Sequence, residues 1–295
     1  MKEMTVEDLM NVNNSIIIDI RSPIEFKDGA IPGAINIPLF SDEERAEVGT
    51  IYKQNGQAAA KWRAMELVSP KIPALLKNIK NFVGPDHELI IHCWRGGSRS
   101  HAVVTFLEFA GIYSWKLIGG YKAFRSHILK QIPNMFPAKA IVLHGLTGVG
   151  KTEILKDLQE KGYPILDLEG MAGHRGSIFG TIGLGEGYNQ KTFDALMFKG
   201  LQKIQDSPYC LIEAESKRIG KAVQPEELMV KKLNGINIYI HTPIEQRVAH
   251  LINEYVTPYV KEPWYFEKIS DGLEKLIPSS AENAYIMLSP FPYTR

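Results

Sequence analysis

The residues best suited to chemistry gather around one cysteine. The stretch Ile90-Ile91-His92-Cys93-Trp94-Arg95-Gly96-Gly97-Ser98-Arg99-Ser100 reads as a buried strand, Glu88 to His92, that ends on a thiol. A loop with two glycines and two arginines follows, then a helix whose apolar residues Val103, Val104, Phe106, Leu107 and Phe109 are expected to pack inward. Such a loop collects backbone N–H groups into an anion-binding concavity, and the helix adds the positive end of its dipole. A helix terminus contributes about 0.3–1 kcal/mol, under about one pKa unit. From a free thiol near ~8.5 this leaves the sulfur mostly protonated at neutral pH. The guanidinium groups of Arg95 and Arg99 are therefore expected to supply the decisive field. Cys93 is a candidate nucleophile, Arg95 and Arg99 its catalytic partners, and Trp94, Gly96 and Gly97 candidate contacts to a bound anion. An inert core cysteine would sit oddly beside two glycines and two arginines.

A second anion cradle lies downstream. Ala140-Ile-Val-Leu-His144 is an apolar strand, followed at once by Gly145-Leu-Thr-Gly148-Val-Gly150-Lys151-Thr152 and a helix from Glu153 to Lys161. Strand, glycine-rich loop and helix in this order complete the P-loop pattern. Gly145, Gly148 and Gly150 let the backbone close round a diphosphate, Lys151 neutralises it, and the Thr152 hydroxyl is suited to Mg²⁺. Two further apolar stretches, 163–169 and 209–215, read as strands with acidic ends. Asp167 and Glu213 are candidate metal-water ligands, with plain capping as the alternative. Glu169, His174, Arg175 and Ser177 lie in one polar, glycine-rich loop, and Glu215, Ser216 and Arg218 in another. Beside a phosphate cradle, both loops are expected to offer contacts to anionic oxygens. Cys210, inside an apolar strand, reads as core.

Other elements must position these loops. Ser15-Ile-Ile-Ile-Asp19-Ile20 is a short β-branched run, Gly29 to Pro38 a punctuated loop entering another strand, and Trp115 to Gly120 a strand closed by a Gly-Gly turn before a helix, Tyr121 to Leu129. Strand and helix alternate, which predicts an α/β fold with parallel sheets. Asp19-Ile-Arg21, Glu25-Phe26, Gly29 to Pro38, the cysteine loop and Leu117 to Phe124 occur in the order seen in rhodaneses, so roughly residues 1–130 resemble a rhodanese domain. In that family the loop cysteine carries sulfur or selenium. Asp19 and Arg21 join the candidate substrate contacts. The spacing His92-Cys93-x-x-Gly96-x-x-Arg99-Ser100 also fits a cysteine-dependent phosphatase, although no general-acid aspartate can be placed. The expected division is a rhodanese-like parallel-sheet domain over 1–132, a linker over 133–139, and a P-loop NTPase-like parallel-sheet domain over 140–295.

Between Phe40 and Pro85 the chain has more sequence than a minimal rhodanese needs. Ser41 caps a helix with an acidic first turn. Lys53, Lys61, Trp62 and Arg63 surround an Ala58-Ala59-Ala60 run. They face either a phosphate backbone, with Trp62 free to stack, or solvent, with Trp62 in the core.

Composition narrows the functional classes. The length of 295 residues suits two domains, and two cysteines supply neither a disulfide framework nor a zinc or iron–sulfur ligand set. The N-terminus has no apolar signal region and no run is long enough to span a bilayer, so a reducing cytoplasm is expected. A net charge of +1 means that any nucleic-acid surface is a local patch. Lys217, Arg218, Lys221, Lys231, Lys232 and Arg247 are candidates for one, against the reading of scattered solvated charge.

A rhodanese-like part followed by a P-loop part with Asp167-Leu-Glu-Gly-Met-Ala-Gly-His-Arg-Gly-Ser177 and Glu215-Ser-Lys-Arg-Ile-Gly220 resembles the tRNA 2-selenouridine synthase family. The loop Cys93-Trp-Arg-Gly-Gly-x-Arg-Ser100 belongs to the same resemblance. It implies a tRNA-modifying transferase that replaces the sulfur of wobble 2-thiouridine, in tRNAs of the Lys, Glu and Gln type, by selenium from selenophosphate. The implied route is S-geranylation with geranyl diphosphate, so the P-loop would hold a diphosphate that need not belong to ATP. No tightly bound cofactor is implied. Selenophosphate and geranyl diphosphate are co-substrates, Mg²⁺ is expected at Thr152, and a selenophosphate-supplying protein is an expected partner, with no membrane. The family also implies a longer helical extension than the apolar ending Glu282 to Arg295 provides, so a shortened form is expected. The alternatives are a P-loop kinase or NTPase fused to a rhodanese sulfur carrier, a regulatory module with a dead P-loop, and the phosphatase. If both loops serve one nucleobase, their pockets should open onto a common groove.

Overall fold

The computed structural model describes residues 1–84 and 86–274, and the ending 282–295 lies outside them. In the first half β1 (Lys2–Met4), β2 (Ser15–Asp19), β3 (Ile35–Asn36), β4 (Glu88–His92) and β5 (Trp115–Leu117) form a parallel sheet in the order β1-β5-β4-β2-β3. Helices α1 (Val6–Met10), α2 (Pro23–Lys27), α3 (Asp42–Val68), α4 (Ile72–Lys80), α5 (Ser98–Phe109) and α6 (Gly120–Met135) surround it. Covered on both faces, the central strands bury successive residues, and Ile18, Ile90 and Ile91 have no exposed surface. Each such side chain contributes about 1.5–3 kcal/mol by burial. On α5, Val103, Val104 and Leu107 face this core, Phe106 is half-buried, and Phe109 points to solvent with 94% of its surface exposed. The expectation that Phe109 packs inward is corrected, because α5 ends there and the residue leaves the buried stripe.

The extra sequence after Phe40 folds as a helical hairpin. Ser41 caps α3 with a reciprocal box, its side chain accepting from the Glu44 amide at 3.2 Å and its own amide donating to Glu44 Oε2 at 2.8 Å. At Gly56 the backbone turns to φ 86° and ψ 179°, which a helix cannot contain, and the arms 42–55 and 57–68 fold back on each other. Arg63 Nε reaches Glu47 Oε1 at 2.6 Å across 16 residues, a span that a straight helix would stretch to about 24 Å. Trp62 is 71% exposed, which excludes the reading that placed it in the core.

The second half carries β6 (Lys139–His144), β7 (Tyr209–Glu213), β8 (Arg218–Ile219), β9 (Ala222–Val223) and β10 (Ile236–Tyr239). Strands β10, β6 and β7 pair in parallel in that order, and β8 and β9 form a small antiparallel pair. Its helices are α7 (Lys151–Glu160), α8 (Leu168–Ala172), α9 (Gln190–Lys203), α10 (Glu226–Leu233), α11 (Ile244–Leu251) and α12 (Tyr265–Glu274). The strand expected over 163–169 shrinks to one bridge, Ile165 with Leu211. Asp167 ends it by capping α8, its carboxylate accepting from the Gly170 amide at 2.8 Å. Within the segment expected as a linker, α6 runs through Pro133 to Met135 and β6 starts at Lys139, leaving residues 136–138 outside regular structure.

The two halves share one apolar core. Phe124 of α6 meets Phe198 of α9 edge-on at 6.4 Å, and Arg125 pairs with the buried Asp194 at 2.5 Å. Asn189 donates to the Asp28 carbonyl at 3.0 Å, and Lys191 forms an ion pair with the Asp28 carboxylate.

Behind the cysteine strand lies a charge cluster closed to water. Arg21 and Asp19 are both fully buried and pair at 2.6 Å, and Arg21 also donates to the Gly29 carbonyl at 2.7 Å. His92 Nε2 stands 3.6 Å from the Asp19 carboxylate. Asp19→Asn leaves the guanidinium buried without its counter-charge, and urea unfolding is expected to show a loss of about 3–5 kcal/mol. His92 yields a pH prediction. Burial holds its pKa below 6.5 despite the Asp19 carboxylate, so the folded imidazole stays neutral where the unfolded one takes up a proton. Its contribution is therefore complete above the unfolded value and is lost as pH falls toward the folded one. Urea midpoints at mildly acidic pH should drop below those at neutral pH, and by less in His92→Phe.

Candidate active site

Cys93 stands at the C-terminal end of β4, where open α/β sheets place their ligand crevices. Its sulfur is 3.3 Å from Ser100 Oγ, and only 3% of the residue is exposed. The amides of Arg95, Gly96, Gly97, Ser98 and Arg99 donate to no described residue, so they form the expected concavity at the start of α5. The turn at Gly119 and Gly120 supports the loop from below. Tyr121 donates its amide to Cys93 O at 2.9 Å, and Lys122 donates to Trp94 O at 2.9 Å. A Cβ on Gly120 would stand 2.2 Å from Cys93 O, and one on Gly96 would stand 2.5 Å from Leu117 O. The sequence marks Gly119-Gly120 as the turn that closes a strand, and the packing makes that turn the bed of the cysteine loop.

The expected arginine field is modified. Arg99 binds Glu25 through both nitrogens, at 2.6 and 3.1 Å, and Arg45 lies 3.6 Å from the same carboxylate. Burial disfavours the Glu25 charge, yet Arg99, the Ser22 amide and Arg45 hold its pKa below the usual carboxylate value. Arg99 is therefore a cation already paired with a carboxylate that it shares with Arg45, and Arg95 is exposed. Asp19 and Arg21 are corrected from substrate contacts to supports, because neither has any exposed surface. Arg21 instead lies under Tyr121, 4.2 Å from the ring centroid, and 5.9 Å from Trp94.

The P-loop borders a cavity of about 550 Å³. Lys151 Nζ donates to Gly145 O at 3.0 Å, and Thr152 Oγ1 donates to Glu169 Oε2 at 3.3 Å. Helix α11 closes over the loop. Arg247 Nε donates to Thr147 O at 3.0 Å, His250 Nδ1 lies 2.9 Å from Gly148 O, and a Cβ on Gly148 would meet Arg247 O at 2.7 Å. Arg247, read as a surface cation, thus holds the P-loop, and His250 escaped sequence reasoning altogether.

Carboxylates crowd the Thr152 end of the P-loop and line the same cavity. One oxygen each of Glu169, Glu213 and Glu215 lies within 4.8 Å of the others. Both Glu213 oxygens are buried without a hydrogen-bond partner among the described residues. Burial and the neighbouring Glu213 and Glu215 push Glu169 up to about 8, and burial likewise raises Glu213. Hard oxygen donors crowded beside the Thr152 hydroxyl fit a divalent cation such as Mg²⁺. Glu213 was expected here, whereas Asp167 caps α8 at the cavity edge.

The remaining candidates separate. Arg175 and Ser177 line the cavity, Arg175 with an ion pair to Glu254 at 2.8 Å and Ser177 3.3 Å from Tyr255 Oη. His174 does not line it. Its ring fills the space above Gly180 and Gly220, and burial lowers its pKa. Ser216 donates to Arg218 O at 2.7 Å, and Arg218 sits exposed on β8, so neither belongs to the cavity wall. Lys232 leaves the proposed basic surface. It is buried, donates to Glu215 O at 2.9 Å, and burial lowers its pKa to about 8. Glu254, Tyr255 and Tyr259 also line the cavity, the first two from a π-helical turn over Ile252–Val256. Their only trace in the sequence is the polar and aromatic run from Asn253 to Tyr259.

A cleft of about 910 Å³ runs between the two halves, from Phe26 and Lys27 to Leu184 and Tyr188. Leu184 also lines the P-loop cavity. On the other side Ile24 and Phe26 border the cleft, and Glu25 between them holds Arg99 of the cysteine loop.

Gly120→Ala combines a positive φ of 56° with backbone overlap, and a loss of about 2–4 kcal/mol is expected in thermal unfolding. The displaced loop should also expose Cys93, so its alkylation by iodoacetamide, followed by mass spectrometry of the peptide, should speed up. Unchanged stability and reactivity would remove the Gly-Gly turn from this role.

Comparison with known proteins agrees with this layout. Residues 4–127 match the rhodanese-like domain family, and residues 138–280 match the family described as tRNA 2-selenouridine synthase AAA domain. A tRNA 2-selenouridine synthase of Bdellovibrio bacteriovorus is 34% identical over 264 residues, covering 87% of this chain and 69% of the relative. One from Nitrosomonas europaea is 33% identical over 261 residues, covering 86% and 67%. One from a Sulfurovum species is 37% identical over 248 residues, covering 83% and 67%. The chain thus spans about two thirds of the length of these relatives, with a thiol-bearing loop and a P-loop in the matched parts, and it belongs to the tRNA 2-selenouridine synthase family.

Proposed function

We propose that this chain is an enzyme that replaces the sulfur of wobble 2-thiouridine in tRNA by selenium from selenophosphate, by way of an S-geranylated base made with geranyl diphosphate. The observation that carries the reading is the presence in one packed body of two anion-binding loops, one bearing a thiol and the other a lysine and a threonine beside three carboxylates.

The order of steps follows from leaving-group chemistry. A thiocarbonyl sulfur departs poorly from C2 of the base, and alkylation makes it a better leaving group. The sulfur attacks the first carbon of geranyl diphosphate, the carbon–oxygen bond breaks, and diphosphate leaves. Gly148, Gly150 and Lys151 line the cavity and are suited to receive that diphosphate, with Arg175 and Ser177 in the same lining, while Gly145 sits at the start of the loop, outside the lining. Thr152, Glu169, Glu213 and Glu215 would hold Mg²⁺, which when bound offsets diphosphate charge. In the second step the selenium of selenophosphate attacks C2, the carbon–sulfur bond breaks and geranyl thiol leaves, and water attacks phosphorus so that the selenium–phosphorus bond breaks and phosphate departs. Cys93 is the proposed selenium-handling residue, its loop holding the selenium of selenophosphate against C2 without a sulfur–selenium bond, with the free amides of residues 95–99 and the Arg99 cation steadying a chalcogen anion.

The division into a selenium-handling part over 1–132 and a diphosphate-handling part over 140–295 belongs to this proposal. The cysteine-phosphatase alternative loses support from the geometry. Asp19 is buried on Arg21 and Glu25 is held by Arg99, so neither is free to protonate a leaving group. Among the described residues no helix is long and apolar enough to cross a membrane.

Mass spectrometry of tRNA nucleosides after incubation with selenophosphate and geranyl diphosphate tests the reading. Cys93→Ala should abolish 2-selenouridine while geranylated thiouridine still forms. Lys151→Ala should slow geranyl transfer by roughly a hundredfold, the scale on which a lost anion donor acts. Equal loss of both products in Cys93→Ala would assign the cysteine a folding or binding role.

A further inference from the structure

We propose that the apolar pocket between the α3 hairpin and the cysteine loop receives the geranyl chain of the S-alkylated uridine while C2 of the base faces Cys93. The inference rests on the reaction proposed above and adds the site that would recognise its intermediate.

The pocket has a volume of about 630 Å³, within the range of small-ligand sites. One wall comes from the hairpin and the segment before it, through Phe40, Val48, Ala60, Ala64 and Met65. The facing wall is the cysteine loop and the first turns of α5, Gly96 to Arg99 with Phe106. A pocket built from methyl groups and rings, beside a loop made to hold an anion, does not suit a phosphate or an unmodified nucleobase. It suits a substrate that is apolar at one end and anionic at the other.

The rim carries the matching charge. Arg45, Lys61, Arg99 and Lys116 border the pocket. Arg45 and Arg99 share the single carboxylate of Glu25, and Lys116 is paired with Glu3 at 2.6 Å, so the rim keeps a net positive charge. An alkyl chain attached to RNA presents that combination, since the hydrocarbon enters the pocket while neighbouring phosphates meet the rim. The fold-back at Gly56 brings Val48 of the first arm and Ala60 and Ala64 of the second into this one wall. The P-loop cavity has the opposite character, with carboxylates, lysine and arginine around its mouth, and is a poor host for hydrocarbon.

Two anticodon stem–loop RNAs test the assignment, one with S-geranyl-2-thiouridine and one with S-methyl-2-thiouridine, their binding followed by fluorescence anisotropy. The wild-type protein should bind the geranyl RNA at least roughly tenfold more tightly, on the scale of a few methylenes in a hydrophobic pocket. Ala64→Trp fills the pocket and should erase the preference. Met65→Asp, at a position 53% exposed and so tolerant of a charge, should erase it as well. Equal affinities in the wild type, or a preference that survives both substitutions, would overturn the pocket assignment. A wild-type protein that geranylates thiouridine RNA yet binds both probes alike fails this inference alone. One that forms neither geranylated nor selenated nucleoside fails the reading of the reaction, and this inference with it.

Discussion

A guanidinium with no access to water organises the first half of the molecule. Arg21 is bound by Asp19 at the end of β2, by the Gly29 carbonyl, and by the face of Tyr121, with Trp94 at the margin. Arg21 Nη1 has no hydrogen-bond partner among the described residues, so the burial of the charge rests on the Asp19 ion pair, the Gly29 carbonyl and the Tyr121 ring, and the cluster tolerates little movement in them. Tyr121 in turn holds Cys93 O through its amide. The position of the thiol loop is thus referred, through two contacts, to an ion pair that solvent cannot loosen. His92, buried against the same aspartate, adds a neutral ring where another charge would break the balance.

The cluster also ties the halves together. Gly29, whose carbonyl accepts from Arg21, leaves room for both Tyr121 Oη and the Lys191 side chain; a Cβ there would stand 2.5 and 2.9 Å from them. Lys191 lies 5.9 Å from the Trp94 ring, next in sequence to Cys93. From Lys191 the chain runs back through Asn189 and Tyr188 to Leu184, at the edge of the P-loop cavity. A contiguous set of contacts therefore joins the two anion loops, and the shared apolar core makes them parts of one packed body.

The two loops are built on different electrostatic plans. Around Cys93 cations are held by carboxylates placed behind or beside the loop, which leaves backbone amides to face the ligand. Around the P-loop carboxylates themselves face the cavity, with Glu169 pushed up to about 8 and Glu213 raised by burial. Such crowding disfavours folding in the absence of a cation or proton, and its persistence beside Thr152 marks a region arranged for binding. Lys232, beneath Glu215, offsets part of that charge from inside the protein.

Local patterns in the sequence determined the parallel α/β class, the cysteine at a strand end, the P-loop between strand and helix, and the Ser41 cap. Each depends on residues close together in the chain, whose spacing carries the physics directly. Tertiary structure decided which polar residues face a ligand. Asp19 and Arg21 went behind the loop, His174 into a turn, Lys232 into the core, and Glu254 and Tyr255 into the cavity. It also decided that Asp167 caps a helix, that Phe109 faces water, and that the segment after Phe40 folds back at Gly56 to wall an apolar pocket. These outcomes depend on partners tens of residues away, such as Glu25 for Arg99 or Arg247 for the P-loop backbone, and no local period or motif encodes such a pairing.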